Sequence, residues 1–344
     1  MNLNPGTLYF INEKDIKTGE HLNYYKIGIV KESSKQDSEK RLLQHQTGNP
    51  RKLCIVETLK MPAVEAVETN LHYLFARNRV MGEWMSFTDV ELQKAISKAK
   101  ELSEGMKENI ADFQRANDLS NIKSNGEINP ASEEAKSLYA GVMNFNEVIN
   151  RCKKVKVLYE DYLRAANEKG IDIGGEAVVK SRKGTITFDA KMFLSKYPDI
   201  YKKYSTSSNS IEGSFRLKPD KDWNFDTSTI ESDQLELISD FKKQLDLADY
   251  SLEVRFLLHA NYLGVLEIRK FADWESDVAK LKLKVLTGDA EGIEGICTWK
   301  RIAKEVISLD EEKIETEHPI EFNACLKRGA DTEALIVNPR IADK

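Results

Sequence analysis

The chain has 344 residues and carries 51 Lys and Arg against 56 Asp and Glu, a net charge of −5, with 41% hydrophobic and 31% charged residues. That balance fits a soluble globular protein with length for two domains or so, and it argues against one that coats nucleic acid through bulk charge. No apolar run approaches the ~18 residues of a membrane span, the N-terminus lacks a basic-then-apolar signal, and Cys54, Cys152, Cys297 and Cys325 are scattered without a Cys-x-x-Cys pair, so a reducing cytoplasm and no membrane are expected.

Residues 7–11 (Thr-Leu-Tyr-Phe-Ile) and 24–30 (Tyr-Tyr-Lys-Ile-Gly-Ile-Val) read as strands because β-branched and aromatic residues cluster there, with the polar stretch 12–23 as the loop between them. Alternation turns Leu8, Phe10, Ile27 and Val30 toward a core and leaves Tyr9 opposite its apolar neighbours, a placement that calls for a reason. Residues 38–45 read as a helix with Arg41 and His45 one turn apart on one edge, stopped by Gly48-Asn49-Pro50. A third strand is read over 52–59 and a second amphipathic helix over 64–75. At 100° per residue Val64, Val67, Leu71, Leu74 and Phe75 fill one arc of that helix. Glu68 falls at the margin of the arc, where a carboxylate needs a partner, while Glu65 points outside it and His72 lies further from the margin.

Residues 90–117 are rich in Glu, Lys, Ala and Leu and predict a long charged helix, followed by a linker over 118–132. Beyond it the chain repeats at a constant offset: Phe188 matches Leu309, Asp189 matches Asp310, Pro198 matches Pro319 and Tyr201 matches Phe322, each 121 apart by subtraction. A helical run precedes each copy (146–169 and 239–286), and strands are read at 177–180 and 296–300 and again at 214–217 and 335–338. Each unit is therefore helix, strand, short helix, strand, and duplication is the preferred account. The expected division is 1–90, a connector over 91–135, and two related α+β units over 136–222 and 223–344.

Tyr9 within Leu8-Tyr9-Phe10, then Lys26-Ile27-Gly28, Arg41, Glu68 four before His72, and Gly82-Glu83-Trp84 resemble, in order and spacing, the GIY-YIG nuclease superfamily in its phage-type branch, whose second signature reads Tyr-Lys-Ile-Gly. The resemblance covers roughly the first 90 residues. It implies a small α/β domain with a three-stranded antiparallel sheet, inside a chain of α+β class, and a Mg2+-dependent DNA endonuclease, with Mn2+ as an alternative cation. In that reading Glu68 is the single metal-binding carboxylate, Arg41 holds the scissile phosphate, Tyr9 positions or activates the attacking water, and His45 relays a proton to Tyr9. The plainer readings are an ion-paired flank residue for Glu68, a surface pair with Asp37 or Glu39 for Arg41, and a structural histidine for His45. Lys26 departs from the usual pattern, which has tyrosine before Ile-Gly; it would contact phosphate or act on the pKa of Tyr9, and the general base is left open. Glu83 would be a second acidic residue, and Trp84 packs in the core or stacks a base.

Residues 1–88 hold 12 basic and 10 acidic residues, a net +2, and the remainder 39 minus 46, a net −7. Any DNA contact must therefore be local, and Lys26, Lys40, Arg41, Arg51, Lys52, Arg77 and Arg79 are its candidates. Residues 177–218 show a shorter similarity to the C-terminal segment of phage YqaJ-type recombination exonucleases, which implies DNA transactions without supplying a catalytic residue. The function expected from these features is an endonuclease of phage restriction, recombination or repair, whose C-terminal half selects DNA or a partner. Its alternatives are an inactive nucleic-acid-binding protein, and a scaffold built on residues 136–344 as a homodimer or for a protein partner.

Overall fold

The structure, a computed structural model, describes residues 3–47 and 49–338; Gly48, expected to stop the first helix, lies outside the described residues. The chain is α+β. Strands β1 (Gly6–Lys14), β2 (His21–Lys31), β3 (Lys52–Met61), β4 (Arg79–Met81) and β5 (Trp84–Ser86) form one antiparallel sheet in the order β3-β1-β2-β5-β4. It has five strands where three were expected. The extra hairpin turns at Gly82, whose φ of 56° suits glycine, and joins the edge of β2 through the pairs Tyr24–Ser86, Tyr25–Met85 and Lys26–Trp84. Two strands of three residues carry too little alternation to be read from sequence. Half of the polar stretch 12–23 is strand (12–14 and 21–23), tied together by Asn12, whose Nδ2 donates to the carbonyls of Leu22 (2.6 Å) and Tyr24 (3.1 Å).

Helices α1 (Ser38–Gln46), α2 (Val64–Leu74) and α3 (Asp89–Ser120) complete this part, the last opened by a capping box between Thr88 and Glu91. One sheet face buries Leu8, Phe10, Tyr25 and Ile27 with Val64, Val67 and Leu71 of α2 and Leu92 and Ile96 of α3. The other buries Tyr9, Ile11, Val30 and Leu53, with Leu42 of α1 packed against them. Val30 thus shares the face of Tyr9 rather than that of Ile27, as an odd spacing along one strand requires. Tyr9 faces a second small core and is buried there.

Helix α4 (Glu133–Glu168) starts at Ser132, whose side chain accepts from the Ala135 N–H, well before residue 146 where the pattern placed it. The first arm follows: β6 (Ala177–Arg182), β7 (Ile186–Phe188), α5 (Ala190–Lys196), α6 (Pro198–Tyr204), β8 (Ser205–Gly213) and β9 (Arg216–Leu217). The helical run 239–286 is two helices, α7 (Ser232–Asp246) and α8 (Leu252–Thr287). Between them Ala248 takes a φ of 50° and the Asp249 side chain accepts from the Ser251 N–H at 2.8 Å, a local bond that competes with helix continuation. The second arm holds β10 (Gly292–Ile293), β11 (Cys297–Thr298), β12 (Arg301–Leu309), α9 (Glu311–Glu317), α10 (Pro319–Asn323), β13 (Leu326–Arg328) and β14 (Thr332–Val337).

The two arms run antiparallel in one register: Ala177 pairs with Val337, Phe188 with Leu326, Gly213 with Arg301 and Leu217 with Cys297, each pair of numbers adding to 514. Exchanging every residue for its counterpart 121 positions away leaves this pairing unchanged, so the two units have internal exchange symmetry. It extends to detail. Asp189 and Asp310 cap α5 and α9 by accepting from Met192 and Lys313 N–H groups, and Pro198 and Pro319 open α6 and α10. Phe193, Tyr204, Ile314, Phe322 and Cys325 of the four short helices and their ends share one small core. The main core lies between α4, α7 and α8, with Tyr159 hydrogen-bonded to His259 Nδ1 at 3.0 Å.

Candidate active site

Tyr9 comes from β1, Lys26 from β2, Arg41 and His45 from α1, and Glu68 from α2. The Tyr9 hydroxyl lies 3.4 Å from His45 Nε2, and Arg41, one turn before His45 on α1, is near enough to pull the phenol's pKa down. Its ring crosses the backbone of Gly28, its partner in the β1–β2 ladder; a Cβ at residue 28 would stand 2.5 Å from the hydroxyl and 2.6 Å from Cζ. The glycine of the second signature is therefore the space the tyrosine of the first occupies. Burial raises the Tyr9 pKa above its ordinary value, against the opposing pull of Arg41, so the phenol keeps its proton near neutral pH.

Arg41 is half-buried and its Nη1 donates to Gln44 Oε1 at 3.0 Å. It pairs with neither Asp37 nor Glu39 among the described residues; Asp37 instead caps α1, accepting from the Lys40 N–H at 2.8 Å. Lys26 is buried and forms an ion pair with Glu83, which joins these two expected residues at the turn beside the sheet. Trp84 packs with the Tyr9-face cluster, which makes it core rather than an exposed stacking platform.

Glu68 is partly buried and makes no hydrogen bond or ion pair among the described residues. Its carboxyl is pushed up to about 8, first by burial and then by the negative charges of Glu83 and Glu267, against the pull of Lys270 and Lys26. Glu267 belongs to α8, far away in the chain, and no local pattern marks it. Its buried carboxylate stands 3.0 Å from Lys270 Nζ, 3.7 Å from Arg79 Nη2 and 3.8 Å from His72 Nδ1. Burial pushes the Glu267 pKa up, but His72, Lys270 and Arg79 around it outweigh that and hold the group below the usual carboxylate range. Burial pushes His72 down to about 4, so the ring is neutral and its Nε2 donates to the Ile27 carbonyl at 3.3 Å.

The candidate phosphate-contacting residues divide by location. Arg79 is buried, donates to the Gly82 carbonyl and faces Glu267, and Arg77 pairs with Asp233 of α7; both brace the N-terminal sheet against the C-terminal helices. Lys26 points inward at Glu83, Arg51 pairs with Glu13 at 2.5 Å, and Lys40 lies 3.8 Å from Asp37 on the open surface. Lys52 is exposed and makes no ion pair among the described residues. Arg41 is thus the one of the seven that meets Tyr9.

Among the described residues no three His, Cys, Asp or Glu side chains cluster tightly enough to cage a metal. Magnesium needs no such cage: it keeps most of its waters and is held by one or two carboxylates together with substrate phosphate. Glu68, a carboxylate without an ion pair among the described residues, fits the single-carboxylate part of that donor set, whereas Glu83 and Glu267 are held by Lys26 and by Lys270 and Arg79.

This sheet, its helices and the polar residues that meet on it define a small α+β unit. Residues 6–100 match the T5orf172 domain, a phage-associated and nuclease-like domain. No curated protein and no solved structure matches the chain. No helix among the described residues is long and apolar enough to cross a membrane.

Proposed function

We propose that the N-terminal part hydrolyses phosphodiester bonds in DNA as a GIY-YIG-type endonuclease, with Mg2+ or Mn2+ held by Glu68, while the C-terminal half selects DNA or a partner. The observation that carries this reading is the meeting of a phenol, an imidazole and a guanidinium at Tyr9, His45 and Arg41, with the unpaired Glu68 coupled to the same phenol. Arg41 grips two oxygens of the scissile phosphate and offsets the charge that builds on them. Tyr9, protonated, orients the attacking water, and His45 takes the proton through the phenol or from the water directly. Lys26, paired with Glu83, offsets part of the negative charge that Glu83 places near Glu68. The cation, when bound, supplies Lewis-acid stabilisation of the phosphoryl oxygens.

Purified protein with Mg2+ and supercoiled plasmid should nick or linearise it, and Glu68→Ala and Arg41→Ala should each abolish that. The second reading, a phosphate-binding protein without cleavage, is favoured by Lys26 standing where the family carries a tyrosine and being tied to Glu83. Wild type and Glu68→Ala equally inert on duplex, single-stranded and modified DNA, with Mg2+ and with Mn2+, would establish it instead.

A further inference from the structure

The two arms share a backbone plan but not a charge. Residues 177–217 hold eight Lys and Arg against three Asp and Glu, a net +5; their counterparts 298–338 hold six against nine, a net −3. Exchange symmetry makes these equivalent positions in one fold, so the fold itself requires neither sign. In the first arm Lys180, Arg182, Lys183, Lys191, Lys196 and Lys202 are all exposed, and none forms an ion pair among the described residues. Four cations of the second arm are paired with carboxylates of the chain at its surface: Lys304 meets Glu212 at 2.8 Å, Lys313 meets Asp310 at 3.2 Å, Arg328 meets Asp331 at 3.0 Å and Lys327 pairs with Asp189. Arg301, the counterpart of Lys180, is fully buried, with its Nη2 donating to the Gly288 carbonyl at 2.8 Å.

The arrangement of the first arm aims its charge outward. In the β6–β14 ladder Leu335 and Val337 pack on the helical core, and Leu335 is paired with Val179. Lys180 and Arg182 alternate with Val179 and so lie on the opposite, solvent-facing side. In α5 the buried position is Phe193, which leaves Lys191 and Lys196 exposed beside it. Strand β8 continues the arm: Ser205, Thr206 and Ser207 donate to the Lys202 carbonyl, the Ser308 carbonyl and Glu305, which leaves Ser208, Asn209 and Ser210 as small hydroxyl and amide side chains of the kind that bond phosphate oxygens. Unpaired exposed cations flanked by short donors are the footprint of a polyanion with evenly spaced charges.

We infer that the first arm, residues 177–217, is a binding surface for the phosphate backbone of nucleic acid, separate from the Tyr9–Glu68 site. It acts as a sequence-independent grip that raises the local concentration of substrate, and it stands whether or not the chain cleaves. The test is fluorescence anisotropy on the full chain carrying Glu68→Ala, in EDTA, with labelled duplex DNA, single-stranded DNA and duplex RNA titrated at several salt concentrations. Reversing Lys191, Lys196 and Lys202 to Glu should weaken binding at least about tenfold and lower the slope of log affinity against log salt by about 2 to 3, near 0.9 per lost phosphate contact. Lys180→Glu with Arg182→Glu, on a separate element, should lower it by about 2. A matched triple elsewhere, Lys100→Glu, Lys153→Glu and Lys154→Glu, should change the slope far less. The arm of the experiment that binds tightest identifies the nucleic acid. Slopes equal in all variants, or a wild-type chain that binds none of the three, overturn the inference. So does a triple variant that loses only self-association in sedimentation, since the basic arm would then meet the acidic arm of a second copy.

Discussion

A methyl group on residue 28 would occupy the space of the Tyr9 hydroxyl, and the buried ring cannot yield without leaving His45. Gly28→Ala therefore separates catalysis from folding: in plasmid nicking the rate should fall about 100-fold, as misplacing a reacting group by about 1 Å does, while circular dichroism stays that of the wild type. Full activity in this variant would show that Tyr9 plays no positional part. Glu68 gives a second prediction, of opposite kind. Its folded pKa, about 8, lies above the ordinary value of 4.5, so between these values the native state binds more protons than the unfolded chain. The stability this group contributes is complete below the ordinary value and is lost as pH rises through about 8. Without divalent cation, thermal scans should find Glu68→Gln more stable than wild type at pH 8.5 and equal to it near pH 4.5. Adding Mg2+ at the higher pH should raise the melting temperature of wild type alone. The edges that Tyr9, Arg41, His45 and Glu68 occupy were legible from sequence because strand and helix periods fix them. The partnership of Lys26 with Glu83 and the arrival of Glu267 were not, since each depends on how separate elements meet.

Helix α8 is the element that joins the halves. Tyr73 of α2 stacks on its Phe271 with ring centroids 3.8 Å apart and planes 1° from parallel, and Trp274 packs against the N-terminal core. Beside them Glu267 draws Arg79 and faces the neutral His72 under the same helix. The contact is thus an aromatic stack next to a buried polar cluster whose carboxylate is already satisfied in charge by Lys270 and Arg79. Phe271→Ala should destabilise the protein by about 3 kcal/mol, the usual cost of emptying such a site, and hydrogen exchange should accelerate in α2 and β4 before it does in β1. Uniform acceleration across the sheet would show that α8 does not hold α2 locally. The end of α8 was readable from its apolar period, but its start, and with it its length, was not. Ala248 and Asp249 break the run through a left-handed residue and a side-chain capture, and neither residue type is a strong stop. Arg77 and Arg79 read as surface cations for a related reason: a period shows that a side chain leaves its own element's core and says nothing of a second body waiting there.

At the scale of the molecule, the repeat at offset 121 was visible because capping aspartates and helix-opening prolines recur at matched positions. What the repeat builds was not visible, because strand β8 is a Ser-rich stretch that becomes a strand only by pairing with β12. Each main arm strand pairs with the other unit, β6 with β14, β7 with β13, β8 with β12 and β9 with β11, so neither unit satisfies its own edges. An unpaired strand exposes a row of backbone donors and acceptors and recruits whatever edge is available. The core between α4 and α8 is likewise shared, Val142 with Leu283 at one end and Tyr159 with Tyr262 at the other. Residues 1–222 and 223–344, expressed apart, should each give aggregates or strand-swapped oligomers in sedimentation. Co-expressed, they should assemble into a one-to-one complex with the thermal transition of the intact chain. A monomeric and cooperatively melting 1–222 would mean that the first unit closes its own strands and that the interleaved arms do not hold the two units together.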